Sequence, residues 1–360
     1  MVTEKLSTHE NLTLCSLEVD ETMWHLHGNI LTEYGLASNN HDRNIGNLIP
    51  LPKIHWKGQI HTTVSAEAIK FAMRRFWQEQ EVSLNRTVND ENPDDIYHYK
   101  DDNFNPDLYV DDDVMGYLKI EKAQRNPTSS QSEEITIGDT EQQANEPLEK
   151  AKPKSNSTKN EAISSKNQAT ITDSPTEEDY LPKPKGKGIP RKGALDMSRA
   201  ISTTPYDRDV LHSAYGGKKD SASLHSAQFH STHYQYCFSI TPDYLKVPER
   251  IFNVLEGINS LRRVGGSNSR CLYDFSPNSL ILRWTQDPCS RHLYSIDAKH
   301  DDPTCPKLLK RMQNGRIDPK EVWIAGDLAD GFKMEGVHLF ENPAAAIEDL
   351  KQKMCHDLEL

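Results

Sequence analysis

Residues 261–284 read LRRVGGSNSRCLYDFSPNSLILRW and set Arg262, Arg263, Arg270 and Arg283 around the glycine pair Gly265 and Gly266. Glycine lets a backbone approach a ligand closely and turn its N–H groups towards an anion. Guanidinium forks match the oxygens of a phosphate. With Ser267 and Asn268 beside the glycines, the segment is a candidate phosphate cradle; the competing reading is an ordinary hairpin turn with solvated arginines. It is not a nucleotide-binding P-loop, because no GK[ST] follows and the turn does not open a helix directly.

A second candidate is RKGALDMSRAISTTPYDRD, residues 191–209. Arg191, Lys192, Arg199 and Arg208 stand there among the hydroxyls of Ser198, Ser202, Thr203 and Thr204 and the ring of Tyr206. Basic, hydroxyl and aromatic groups together suit a surface that grips a nucleic-acid backbone and stacks bases. A polar loop following a linker is the plainer alternative. Lys70, Arg74 and Arg75 share one face of a candidate helix at spacings of four and five residues, and meet phosphate or water. Lys53, His55, Trp56 and Lys57 pose the same choice. These two basic regions, 191–208 and 261–270, are expected to line a single cationic groove.

Other polar clusters promise less. His225, His230 and His233, like His25 and His27, lack the paired-ligand spacing of a metal site, and their rings with Phe229 and Tyr234 suit stacking on bases or on one another. Asp111, Asp112 and Asp113 are consecutive and do not share one ion if extended, so a solvated acidic turn is expected. Asp42 stands alone in an Asn-rich loop. No catalytic residue, metal or cofactor is expected.

The chain that positions these groups has 360 residues and a formal net charge of −12. Its pI is near 5.7 and its mean hydropathy is −0.74, low for a chain that folds throughout. Residues 90–150 hold seventeen acidic and five basic side chains, a balance of −12 that equals the whole-chain figure. Residues 182–270 hold fourteen basic and seven acidic, a balance of +7 that invites a polyanion. The six cysteines (Cys15, Cys237, Cys271, Cys289, Cys305 and Cys355) form no CxxC pair, which fits a reducing cytoplasm. Neither a signal peptide nor an apolar run of the ~20 residues that span a bilayer is visible.

About residues 121–188 read as disordered, being Ser, Asn, Gln, Lys and Glu with almost no aromatics. Strands are expected at 23–34, 233–241, 278–284 and 321–326. Helices are expected at 64–80, capped by Ser65 with an apolar stripe of Ala68, Phe71, Ala72 and Phe76, at 248–261, and at 342–354. The resulting order, strand, helix, long insertion, strand, helix, strand, strand, helix, fits the split βαββαβ pattern of an α+β, ferredoxin-like, RNA-recognition-type domain.

Together NNHDRNIGN, VSAEAIKFAMRR, DDDVMGYL, RKGALDMSRAISTTPYDRDVLHSAYGG, HSAQFHSTHYQYCFSIT and LRRVGGSNSRCLYDFSPNSLILRW resemble the DevR-type CRISPR-associated backbone protein. That protein is the major repeated, CRISPR-RNA-binding subunit of type I (I-B-like) Cascade complexes. The resemblance implies a hand: a palm at 1–77 and 231–360, a finger insertion at 78–190 and a protruding thumb at 191–230. It implies that copies stack head to tail along guide RNA, beside other Cascade subunits, and display it for pairing with a target DNA strand in antiviral defence. It implies phosphate contacts from Arg262, Arg263, Gly265, Gly266 and Arg270, and a grip at the thumb base from Arg199 and the hydroxyls of 198–204. Two competitors stay open. One is a metal-dependent ribonuclease of the type III backbone kind acting through Asp42; the other is a DNA-binding regulator, for which no groove-reading module is visible.

Overall fold

His25–Thr32 forms strand β1, and every one of its eight side chains is buried. A strand buried on both faces must carry a layer on each side, and the rest of the fold supplies them. The computed structural model describes residues 23–39, 41–88, 97–120, 188–215, 223–266, 271–298 and 302–360. The chain divides into a main unit, Met1–Lys119 with Pro190–Leu360, and a second unit, Ile120–Ile189. The segment expected to be disordered lies outside the described residues.

After β1 come β2 (Gly35–Ala37), β3 (Leu48–Ile49), β4 (Lys53–Trp56), β5 (Gln59–Val64), α1 (Ala66–Glu79), β6 (Arg86–Val88), β7 (Tyr97–Tyr99), α2 (Val110–Met115) and β8 (Gly116–Ile120). The chain resumes with β9 (Gly188–Lys192), β10 (Leu195–Met197), β11 (Ala200–Ser202), β12 (Val210–Tyr215), β13 (Ser223–Gln228), β14 (His230–Thr232), β15 (Tyr234–Ile240) and α3 (Arg250–Asn259). It ends with β16 (Pro277–Thr285), α4 (Pro306–Gln313), β17 (Val322–Ala325), α5 (Asp327–Asp330), β18 (His338–Phe340) and α6 (Pro343–Asp357). The fold is mixed α/β around one large sheet of order β18-β17-β16-β1-β15-β11-β5-β4, with β10 also pairing β15. β1 is antiparallel to β15 and to β16. β15 and β16 therefore run parallel, joined through α3 with β1 between them. β12 and β13 form a separate hairpin.

Period-2 alternation sorts the core. Leu26 and Ile30 of β1, Tyr234, Tyr236 and Phe238 of β15 and Leu280, Leu282 and Trp284 of β16 face α1, α3 and α6. Leu31, Ile281, Val322 and Ile324 face the other way, onto Leu308 and Met312 of α4, Leu328 and the segment with Ile296 and Ala298. Gly28 lies under the Phe238 ring, where a Cβ would fall 1.9 Å from ring carbon Cε1.

Three expectations are corrected here. α1 buries Ile69, Met73 and Trp77 in the core together with Ala72 of the expected stripe, while Ala68 and Phe76 pack against that core only partly buried, so the buried face is centred one step round from the stripe; Trp77 Nε1 also donates to Asn253 O at 2.9 Å. Arg283 is buried within β16, where it pairs Glu321 and Asp287, and it has no part in the glycine turn. The three aspartates are not a solvated turn. They form the first turn of α2 and are fully buried. Helical residues 100° apart point in three directions, so each finds its own donors. Asp111 accepts the backbone N–H groups of Asn85 and Arg86 at 2.8 and 3.0 Å, with Arg74 Nε at 3.8 Å. Asp112 accepts Asn85 Nδ2 and Asn105 N–H at 2.9 and 3.0 Å. Asp113 takes Arg191 at 2.5 Å, Arg250 at 2.8 Å and Lys246 N–H at 2.9 Å. Among the described residues no helix is long and apolar enough to cross a membrane.

Two stability predictions follow from these burials. Asp113→Ala strands the buried Arg250 guanidinium and is expected to cost about 3–5 kcal/mol in urea unfolding. Asp112 has its carboxyl pushed up by burial and by the neighbouring Asp111 charge, so Asp112→Asn is expected to cost about 1 kcal/mol or less. Equal losses at the two positions would contradict the assignment. Burial also lowers three histidines, His27 and His230 to about 4 and His292 to about 3, from an ordinary 6.5. The unfolded chain thus binds more protons than the fold once pH drops below about 6.5. Their contribution is complete above that pH and is lost as pH falls towards 4. Between pH 7 and 5 stability is expected to fall by on the order of 1–2 kcal/mol per histidine, and His27→Gln is expected to flatten the profile.

Candidate nucleic-acid interface

α1 starts at Ser65, whose side chain caps the helix by accepting Ala68 N–H at 3.2 Å. Beside its buried face runs the second apolar stripe of Ala68, Phe71, Ala72 and Phe76. That stripe floors a groove of about 820 Å³ whose rim is Arg75, Glu79, Arg262, Arg263, Gly265 and Gly266. The rim exists because α3 ends at Asn259 and the chain turns back there, burying Leu261 and Val264 and leaving Arg262 and Arg263 exposed. Gly265 and Gly266 have φ of +70° and +76°, a region that favours glycine. A Cβ on Gly266 would meet nothing within 4 Å, so it is conformation, not crowding, that selects glycine there.

Charge on this rim is mostly positive. Arg75, Arg262 and Arg263 are exposed, and Arg262 pairs the Glu79 carboxylate. At both ends exposed, such a pair is weak and salt-sensitive, so the guanidinium remains available to a stronger anion. The loop after β2 is tied to the glycine turn, where Asn39 Nδ2 donates to Val264 O at 2.8 Å. Asp42 of that loop is exposed and accepts Arg43 N–H at 2.7 Å.

A second cavity, about 460 Å³, gathers Lys57, Ser202 and Thr203 with Trp56, His61 and Tyr294. Lys57 and Gly58 have φ of +49° and +81° and make the two-residue turn between β4 and β5, the signature of a tight hairpin. That turn brings Trp56 to the Tyr294 ring, 5.3 Å between centroids. Tyr294 OH donates to Arg199 O at 2.5 Å, fastening the cavity wall to the 198–204 segment. Ser202 is buried, its hydroxyl accepting Thr62 N–H and donating to Thr204 O. Ser198 likewise serves the sheet, accepting Cys237 N–H at 2.8 Å. Thr203 Oγ1 is buried with no hydrogen-bond partner among the described residues.

Among the described residues, the two basic regions border different cavities rather than one groove. The 260–266 turn borders the α1 groove in the helix layer. The 201–205 segment borders the second cavity with Gln235, Ile296 and Ala298, on the face of β15 turned away from α1. Several expected phosphate ligands are also committed elsewhere. Arg74 is 6% exposed beside Asp111. Arg191 is held by Asp113, and Lys192 pairs Asp196 at 3.5 Å. Lys70 donates to Leu195 O at 3.2 Å, with its ammonium pulled down by burial and by the Arg74 charge. Lys53 donates to Leu51 O at 2.8 Å, lies over the Tyr206 ring at 4.8 Å and is likewise pulled down by burial. Two of the histidines pack edge-on against rings within the fold, His230 against Tyr206 and His233 against Tyr34, at 5.4 and 5.2 Å between centroids. Ser267, Asn268 and Arg270 lie outside the described residues. Sequence reading missed Asn39 and Tyr294; the first was one Asn among several, and the second lies in a tail without motifs.

No protein-family model matches the chain. Chains of two solved structures, a CRISPR RNA-guided surveillance complex and a CRISPR RNA-guided surveillance complex, pre-nicking, align with it at TM-scores of 0.48 and 0.46 and identities of 12% and 10%. Each alignment covers 92% of this chain and 100% of the other. In sequence, the CRISPR-associated protein Cas7/Cst2/DevR of Myxococcus xanthus (strain DK1622) is 29% identical over 328 residues, covering 86% of this chain and 89% of its own. The DevR-type resemblance carried by the motifs therefore extends over 86% of the chain, as similarity to that CRISPR-associated protein.

Proposed function

We propose that this chain is the RNA-binding backbone subunit of a type I CRISPR Cascade complex, acting without catalysis in the cytoplasm. One observation carries the reading: Arg75, Arg262 and Arg263 converge with two left-handed glycines on a groove floored by Phe71 and Phe76. Guanidinium groups and open backbone hold phosphates, while the rings offer a surface for ribose or bases. The relationship to a CRISPR-associated protein makes CRISPR RNA the strand of choice. Copies of the chain would follow one another head to tail along that RNA, with other Cascade subunits at its ends, and leave guide bases to pair with target DNA.

The palm in this reading is ferredoxin-like. Its support is the strand order β16-β1-β15-β11, with α1 after β1 and α3 between β15 and β16. Leu195–Ser202 pair within that sheet, so they count with the palm, and the thumb is the β12–β13 hairpin. Residues 78–190 are the fingers. The second cavity, with Lys57, Trp56 and Tyr294, is a separate contact that would meet the strand only where it passes the far face of the palm.

The test is a salt titration of binding to guide-length RNA. Replacing Arg262 and Arg263 together by Ala is expected to weaken binding and reduce the slope of log affinity against log salt by roughly 1–2. Unchanged affinity at every salt concentration would overturn the assignment. Glu79→Gln removes the carboxylate that competes for Arg262 and is expected to tighten binding by about two- to fivefold at low salt, with the gain fading as salt rises.

A further inference from the structure

Ser38 and Asn39 are adjacent, with exposures of 0% and 1%. They tie down two segments that the chain reaches much later. Ser38 Oγ donates to the carbonyl of Gln228, at the foot of the β12–β13 hairpin, at 2.8 Å. Asn39 Nδ2 donates to the carbonyl of Val264 at 2.8 Å, and Asn39 Oδ1 accepts Ser38 N–H at 3.0 Å. The carboxamide is thus held at both ends, which fixes which end is which. Reversing it would set oxygen against carbonyl and NH₂ against N–H.

The consequence lies one peptide further on. In a trans peptide the C=O and the following N–H point in opposite directions. Asn39 holds the Val264 carbonyl, so the Gly265 N–H is turned away from Asn39, on the turn that also carries Arg262 and Arg263. The Val264 side chain is itself fully buried, so the residue before the glycines is fixed on both its side chain and its carbonyl. Two glycines in succession have little else to hold them, since backbone freedom is their defining property.

Resting on the RNA-binding reading above, we propose that Asn39 is a positioning residue for the anion site: its amide presets the Gly265 N–H as a phosphate donor alongside Arg262 and Arg263. It touches no phosphate itself. Its removal lets the Val264–Gly265 peptide rotate, and the donor is lost together with the geometry of the two arginines.

Asn39→Asp keeps the acceptor for Ser38 N–H, removes the donation to Val264 and sets a carboxylate oxygen against the Val264 carbonyl. Binding of single-stranded oligouridylate is expected to weaken about tenfold, the loss of one charge-assisted hydrogen bond. In the Arg262→Ala/Arg263→Ala background the same substitution is expected to cost less than about twofold, because the site it organises is already dismantled. A tenfold loss in both backgrounds would mean a general structural role and overturn the proposal, as would full affinity in Asn39→Asp. Full affinity in the double arginine variant would instead overturn the RNA-binding reading. If Asn39→Asp does not fold, the unmodified protein still decides. The Gly265 amide, followed by NMR in glycine-labelled protein, is expected to shift and gain exchange protection on adding oligouridylate. An unshifted, unprotected Gly265 amide in the RNA-bound state overturns the proposal.

Discussion

The buried Asp113 carboxylate is the constraint on which the arrangement of the helices depends. It accepts from Arg250 at the start of α3, from Arg191 at the end of β9 and from the backbone at Lys246. Its neighbours Asp111 and Asp112 do the same for Asn85, Arg86 and Asn105. A six-residue helix has too few intrahelical bonds to be stable alone, and α2 exists because these long-range partners need it. In return the cluster fixes where α1 and α3 lie. The groove between α1 and the turn after α3 inherits its shape from that placement. Removing a charge here therefore reaches the candidate interface without touching it.

Much of the fold was legible because period and caps agree with tertiary placement. The strands at 25–32, 234–240 and 277–285 and the helices at 66–79, 250–259 and 343–357 lie where alternation, Ser65, Pro248 and Pro343 put them. What escaped was decided by partners far away in sequence. The stripe of Ala68, Phe71, Ala72 and Phe76 has the right spacing for a core face, and so has that of Ile69, Met73 and Trp77. Only the sheet and Asn253 choose between them. DDD at 111–113 looks like a solvated turn because consecutive carboxylates repel. It becomes buried only where Arg250 and Arg191, 137 and 78 residues away, arrive to meet it. At the candidate site the glycine turn with Arg262 and Arg263 was readable from composition, whereas Asn39 was not, since nothing local marks which Asn of an Asn-rich loop will face a carbonyl 225 residues on.

Charge segregation has a structural counterpart. Of the cations that the sequence offered to a polyanion, Lys53, Lys70, Arg74 and Arg191 serve internal acceptors, and Arg283 is enclosed by Glu321 and Asp287. Arg75, Arg199, Arg208, Arg262, Arg263, Lys57 and Lys192 are exposed. A net charge of −12 is no obstacle to them, because screening limits each exposed charge to about 8–10 Å at physiological salt. What matters to an arriving phosphate is the local rim, and Glu79 is the acid shown there.

The sheet also restricts where nucleic acid can bind. A ferredoxin-like domain that reads RNA on its open sheet needs exposed aromatics on the central strands. Here β1 is buried at all eight positions, and the face away from α1 is roofed by the segments that carry Ile296, Leu308 and Leu328. The rings of β15 are spent inside, Tyr234 stacking on Phe275 at 5.6 Å and Phe238 covering Gly28. With β1 covered on both faces, contact with a strand comes from the margins of the sheet: the outer stripe of α1, the glycine turn, the loop that begins at Ser38 and Asn39, and the cavity that Lys57, Trp56 and Tyr294 line beside Gln235. Contacts of that kind grip a backbone and leave bases free, which is the division of labour a guide-RNA carrier requires.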